Sequence, residues 1–245
     1  MQKQQDGFNI YKDRISGRQL SETVEEFLAR LPPSSSKIED CGPWIYISNP
    51  AYDPNKDRED LRHFKENVTA HLTGFEEQKL KVEESTEQAP KSVRTRKVNE
   101  LRDELQAAIF RDARKYRVTA GKWMLFPRRN EVDRIWGAIA HATAAGDLGH
   151  AAKVASDDGS GDQKSRLICV YNEDCEDRHA VKRVLRRLGQ MGFVERDRSI
   201  YYKADAYSHL EINAGNSWGL KASLYASKDA LRDGWEDRRA GKANP

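Results

Sequence analysis

A chain of 245 residues is long enough for one sizeable domain with additions, or for two small ones. Its charged fraction of 33% and mean hydropathy of -0.86, with no apolar run near the roughly 20 residues that cross a bilayer, exclude a membrane-spanning helix and place part of the chain outside any core. The 42 basic residues stand against 39 acidic ones, so bulk charge alone identifies no nucleic-acid partner.

The opening MQKQQDGFNIYKD has no apolar signal core, and Cys41, Cys169 and Cys175 form no CxxC pair. A reduced, monomeric, cytoplasmic protein is expected, with the nucleus as the alternative compartment. After this polar segment, SETVEEFLARLPP combines a Ser21 cap signal with Val24, Phe27, Leu28 and Leu31 at helical spacing, ended by Pro32 and Pro33. Trp44 to Ser48 reads as a strand between prolines, which suits a sheet edge.

Residues 57–118 read as a charged insertion. Lys91 to Arg117 carries nine basic against four acidic side chains, and Val98, Leu101, Leu105 and Ile109 predict one helix there. VEESTEQAPKS, with turn formers and no periodic apolar face, predicts a disordered segment.

From Gly121 the elements alternate. KWMLF predicts a strand, and Val132, Ile135, Trp136, Ile139, Ala140 and Thr143 line a helix stopped at Gly146. HAAKVAS is a strand, DDGSGDQ a flexible loop, and RLICVYN a central strand. Asp177 opens a helix with Val181, Val184, Leu185 and Leu188 inward and Lys182, Arg183, Arg186 and Arg187 outward. Gly189 or Gly192 ends it. SIYYKAD, SHLEIN and WGLKASLYAS predict further strands before a frayed polar tail. Two strands follow each other without an intervening helix, so the expected class is α+β with a mixed or antiparallel sheet. Residues 1–20 are expected to form a polar N-terminal segment, 21–226 one domain carrying the insertion, and 227–245 the tail.

GKWMLF, EVDRIWGAIAHAT, AAKVAS, SRLICVYNEDCEDRHAVKRVLRRLG and YYKADAYSHL, taken in order, resemble the core of the cap-binding translation initiation factors. Through GPWIYISNPAYDPN, GKW, Ala152 to Ser156, ICVY, YKADAY and the later Asn-x-Trp and Leu-Tyr, the chain more closely resembles the uncharacterised basophilic leukemia expressed protein family. The resemblance implies a strongly curved, mainly antiparallel sheet with helices on its convex back, and a concave side that would hold any ligand.

It also implies candidate roles. Lys122 matches the basic member of the Gly-basic-Trp strand and would meet a phosphate; Lys153 offers a second charge. The arginine usually found at that strand's end matches Ala155, and the loop before Gly121, IFRDARKYRVTAG, lacks the stacking Trp. Binding of a methylated cap in the usual way is therefore not expected. Trp44 followed by Tyr46, or Tyr52, would have to supply stacking instead. Lys203, Asp205, Tyr207, Asn216, Trp218 and Tyr225 match the closer family near the domain's end, as a pocket lining or an internal hydrogen-bond network.

Other chemistry is excluded by spacing. Gly121-Lys122 is no phosphate loop, since Tyr116 and Trp123 stand where Gly and Ser or Thr are required. The six histidines show no metal-ligand spacing. No metal, cofactor or catalytic residue is expected. The leading expectation is a non-catalytic RNA or nucleotide binder using Lys122, Lys153 and Lys203 for phosphate, Trp44, Tyr207 and Trp218 for stacking, with Asn216 and Asp205 beside them. The alternatives are a module docking a protein partner through its helical face, and an enzyme on a phosphorylated small molecule or RNA end, which needs Asp205 and His209 to converge.

Overall fold

The computed structural model describes residues 7–53, 59–160, 164–195 and 197–237. Parts of the expected polar start, insertion, DDGSGDQ loop and tail lie outside the described residues. In chain order the elements are α1 (Val24–Arg30), α2 (Ile38–Cys41), β1 (Trp44–Ser48), α3 (Leu61–Ser85), α4 (Lys91–Lys115), β2 (Gly121–Leu125), α5 (Val132–Ala144), β3 (Ala151–Ala155), β4 (Ile168–Asn172), α6 (Arg178–Gln190), β5 (Tyr201–Ala204), α7 (Asp205–His209), β6 (Tyr225–Ala226) and α8 (Ser227–Ala230). They form two compact units, one of Met1–Lys56, Ala120–Lys203 and Tyr225–Asp237, the other of Asp57–Thr119, Ala204–Leu224 and Arg238–Pro245.

The first unit holds a six-stranded, open, curled sheet in the order β1-β3-β4-β2-β5-β6. β1 with β3, β3 with β4, β4 with β2 and β5 with β6 all pair antiparallel, so the fold class is α+β. Register aligns Ile45 with Val154, Val154 with Ile168 and Ile168 with Leu125, and likewise Ile47, Ala152, Val170 and Trp123. Side chains alternate across a strand, so these eight share one face. All are buried, beneath α5 on β1 and β3 and α6 on β4. The Trp123 indole donates to the Val181 carbonyl of α6 at 3.0 Å.

Local chemistry sets the helix ends. Thr23 caps α1 in a capping box with Glu26; the signal assigned to Ser21 lies two residues further on. Asp177 caps α6 through the Ala180 N–H at 3.0 Å. After α5, Gly146 turns to φ +82°, and the Asp147 N–H reaches back to the Ala142 carbonyl at 2.9 Å. Only glycine takes that conformation without strain.

The outward assignment of Lys182 is corrected. Its side chain is only 1% exposed, and its ammonium donates to the Arg232 carbonyl at 2.8 Å and the Glu236 carboxylate at 2.5 Å. The described part of the tail expected to fray, residues 227–237, folds back instead: α8 packs on α6, and the buried Trp235 meets Tyr225 edge-on at 4.8 Å. The Arg178 guanidinium lies over both rings, at 5.4 and 5.0 Å.

The second unit is built on a hairpin of α3 and α4. Phe64, Val68, Leu72 and Phe75 are buried on α3, and Val98, Leu105, Ala108 and Ile109 on α4. His71 Nε2 and Asp112 Oδ2 meet at 3.1 Å between the helices. The expected α4 helix is present, but the disorder expected around VEESTEQAPKS is not. Helix α3 runs to Ser85, Thr86 caps back to Val82, and Pro90 starts α4, where its missing N–H costs nothing. The strand expected at SHLEIN is also replaced: Asp205–His209 is a helical turn, Tyr207 is buried on Phe110 at 5.4 Å, and Glu211 takes a positive φ of 55°. WGLKASLYAS yields only the two-residue strand β6.

Candidate functional site

The sheet face turned away from the helices carries a different set of side chains. The same registers align Tyr46 with Lys153 and Cys169, and Ser48 with Ala151, Tyr171 and Lys122. Trp44 and Ala155 form the next rung. Cations and aromatic rings interleave along it. Lys153 Nζ lies 4.1 Å from the Trp44 centroid and 5.6 Å from that of Tyr171, and Lys122 Nζ lies 5.4 Å from Tyr171 on the other side. Such distances fit cation–π attraction.

Exposure grades along this ladder. Trp44, Tyr46 and Lys153 are half-buried, whereas Lys122 and Tyr171 are buried. Lys122 therefore lies deeper than Lys153 on this face. On β5, beside β2, alternation puts Lys203 on this same face, because its neighbour Tyr202 packs on Trp123 at 5.2 Å.

The N-terminal segment packs on this face. Ser16 and Arg18 pair with Tyr46 through a backbone bond on each side, at 2.8 and 3.0 Å, so β1 is not a bare edge. Tyr11 lies on Tyr46 at 4.7 Å with Arg14 over the same ring at 4.8 Å. Ile10 and Tyr11 also pack on the cluster of Ala151, Cys169 and Tyr171. The Gln19 amide holds this segment's shape by donating to the Tyr11, Arg14 and Gly17 carbonyls.

The structure thus brings Trp44, Lys122, Lys153 and Lys203 to one face of the first unit. Asp205, Tyr207, Asn216 and Trp218 belong to the second unit. The Tyr207 ring is fully enclosed. The Asn216 amide closes a turn, donating to the Asn213 and Leu220 carbonyls and accepting from the Leu220 N–H. The Trp218 carbonyl accepts from Arg102 Nε at 3.1 Å. Burial raises the pKa of the Glu59 carboxyl, and the charge of Asp205, at the start of α7, raises it further.

Tyr171, Tyr11 and Arg14 were not singled out from sequence. Tyr171 sits in an apolar run that reads as all core, yet its odd-even parity with Ile168 and Val170 sends it to the other face. Tyr11 and Arg14 lie in a polar stretch with no periodicity to mark them.

An open curled sheet, helices on one side and a cation–aromatic ladder on the other, defines an α+β protein of the class the sequence resemblance implied. Residues 1–211 match the family model of the basophilic leukemia-expressed protein Bles03. The chain belongs to that family. Among solved structures it is similar to Ascaris suum eIF4E-3 in complex with the m2,2,7G cap, at 13% identity and a TM-score of 0.34. That match covers 44% of this chain and 58% of the factor's chain. Among the described residues no cluster of His, Cys, Asp or Glu has a metal-holding arrangement. No helix there is long and apolar enough to cross a membrane.

Proposed function

We propose that this protein is a non-catalytic binder of RNA or of a nucleotide, and that the ligand lies on the sheet face opposite the helices. The carrying observation is the alternation of Trp44, Lys153, Tyr171 and Lys122 across four adjacent strands. Aromatic faces accept bases of any sequence, and neighbouring cations take phosphates. Trp44 supplies the accessible ring, Lys153 and Lys203 the half-buried charges, and Lys122 a deeper one. With no Trp in the loop before β2, the reading excludes the usual sandwich around a methylated guanine.

The test is a fluorescence titration with capped, uncapped and 5′-phosphorylated oligonucleotides at several salt concentrations. Salt-dependent binding of comparable strength for capped and uncapped forms is expected, with the signal lost in Trp44→Phe. Absence of salt-dependent binding at high micromolar protein overturns the reading.

A further inference from the structure

The outer stripe of α6 has no part in the proposed reading. His179, Arg183, Arg186, Arg187 and Gln190 follow at three- and four-residue intervals, which places them on one side of the helix. With Val181, Val184, Leu185 and Leu188 buried in the core, that side faces away from the sheet. Together with Asp147, Lys182 and Glu236 these residues line a concavity of about 290 Å³.

The cations in it are held rather than loose. Asp147 fixes Arg187 at 2.9 Å. Glu236 receives Lys182 at 2.5 Å and approaches Arg186 at 3.8 Å. The bond from Lys182, with the backbone N–H of Glu236 itself, keeps that carboxyl below its ordinary pKa and therefore charged. Arg183, one turn before the two anchored arginines, makes no ion pair among the described residues and is exposed. Four permanent cations meet two carboxylates, so positive charge is in excess.

We infer that this concavity is a binding site for a compact polyphosphate group, with Arg183, Arg186 and Arg187 as its ligands. A guanidinium presents paired N–H donors that match phosphate oxygens. From Arg183 to Arg187 the guanidinium stems are spread over about 6 Å of helix at 1.5 Å per residue, which suits two or three linked phosphates better than one. Asp147 and Glu236 line the same concavity and repel a longer anionic strand laid across it. The site therefore selects a short polyphosphate over a continuous nucleic-acid backbone.

Isothermal titration with inorganic tripolyphosphate, and with orthophosphate at matched ionic strength, tests this. Tripolyphosphate is expected to bind at least about tenfold more tightly, through several charge-assisted contacts instead of one. The double variant Arg183→Ala, Arg186→Ala removes two exposed side chains, is expected to keep the wild-type melting temperature, and loses that preference. Equal affinity for the two anions, or a double variant that keeps the wild-type preference for tripolyphosphate, overturns the inference. Arg183, Arg186 and Arg187 have no part in the sheet face, so failure here leaves the nucleotide-binding reading untouched.

Discussion

The ammonium of Lys153 stands 4.1 Å from the centroid of the Trp44 ring, across the ladder that joins β3 to β1. The pair is half-buried, so it contributes on the order of 1 kcal/mol to the fold. Its larger consequence is for binding, since one position carries the stacking plane and its neighbour the charge. Lys153→Ala is expected to weaken a 5′-phosphorylated oligonucleotide by about tenfold and to lower the salt slope by about one. Trp44→Ala weakens binding by a similar factor and leaves the slope unchanged. Titrations at a series of salt concentrations separate these outcomes.

Gly121 explains why the GKW stretch begins with glycine. A Cβ there would fall 2.6 Å from both Cε1 and Oη of Tyr202. That ring is fully buried and set against Trp123 at 5.2 Å and Tyr225 at 5.6 Å, so it has nowhere to retreat. Gly121→Ala is expected to destabilise the protein by about 1–3 kcal/mol through overpacking. Urea denaturation measures this. The cost in a Tyr202→Ala background is expected to fall sharply, a non-additivity that identifies the ring as the obstacle.

The same stretch shows where the sequence is legible. Trp136, on the apolar stripe with Val132, Ile135 and Ile139, is core as its periodicity predicts, and so is Trp123, on the strand face under α6. Alternation correctly places Lys122 on the other face, but its burial beneath the ladder depends on registers set by three separate strands. Lys182 shows the complementary failure. Its helical phase reads as outward, and only the return of Trp235 and Glu236 from 53 and 54 residues away in sequence covers it. Helix α3, and its pairing with the expected α4, escaped for a related reason: each helix shows a narrow apolar stripe diluted by charge, and the stripes become a core only when paired. SHLEIN alternates like a strand, yet Tyr207 finds Phe110 by turning helical.

The Lys182 ammonium ties the C-terminal segment to α6. Lys182→Met keeps the buried stem and removes the donors to the Arg232 carbonyl and Glu236. Glu236 retains some access to water, so the loss is expected to be about 1–3 kcal/mol rather than the full penalty of a sealed broken pair. The local signature is sharper. Amides of residues 230–237 are expected to exchange faster by hydrogen-exchange mass spectrometry while those of β3 and β4 keep their protection.

Asp157 sets an acid limit on stability. Burial works against its charge, but the Gly159 N–H at 3.2 Å, the Arg166 guanidinium and Arg129 at 3.1 Å together hold its carboxyl below the ordinary value. Glu236 is depressed in the same direction by Lys182. A carboxyl whose folded pKa lies below its unfolded one releases its proton more readily when folded. It therefore adds stability that is fully present above the unfolded pKa of about 4 and is lost as pH falls through the folded value. Urea midpoints are expected to be flat from pH 7 to about 5 with respect to these groups and to drop below about 4. Asp157→Asn removes part of that acid dependence and lowers the midpoint at pH 7, because Arg166, 1% exposed, then loses the carboxylate bonded to its Nη2 and retains the more distant Asp158 at 3.9 Å. An Asp157→Asn midpoint equal to wild type at pH 7 contradicts this role.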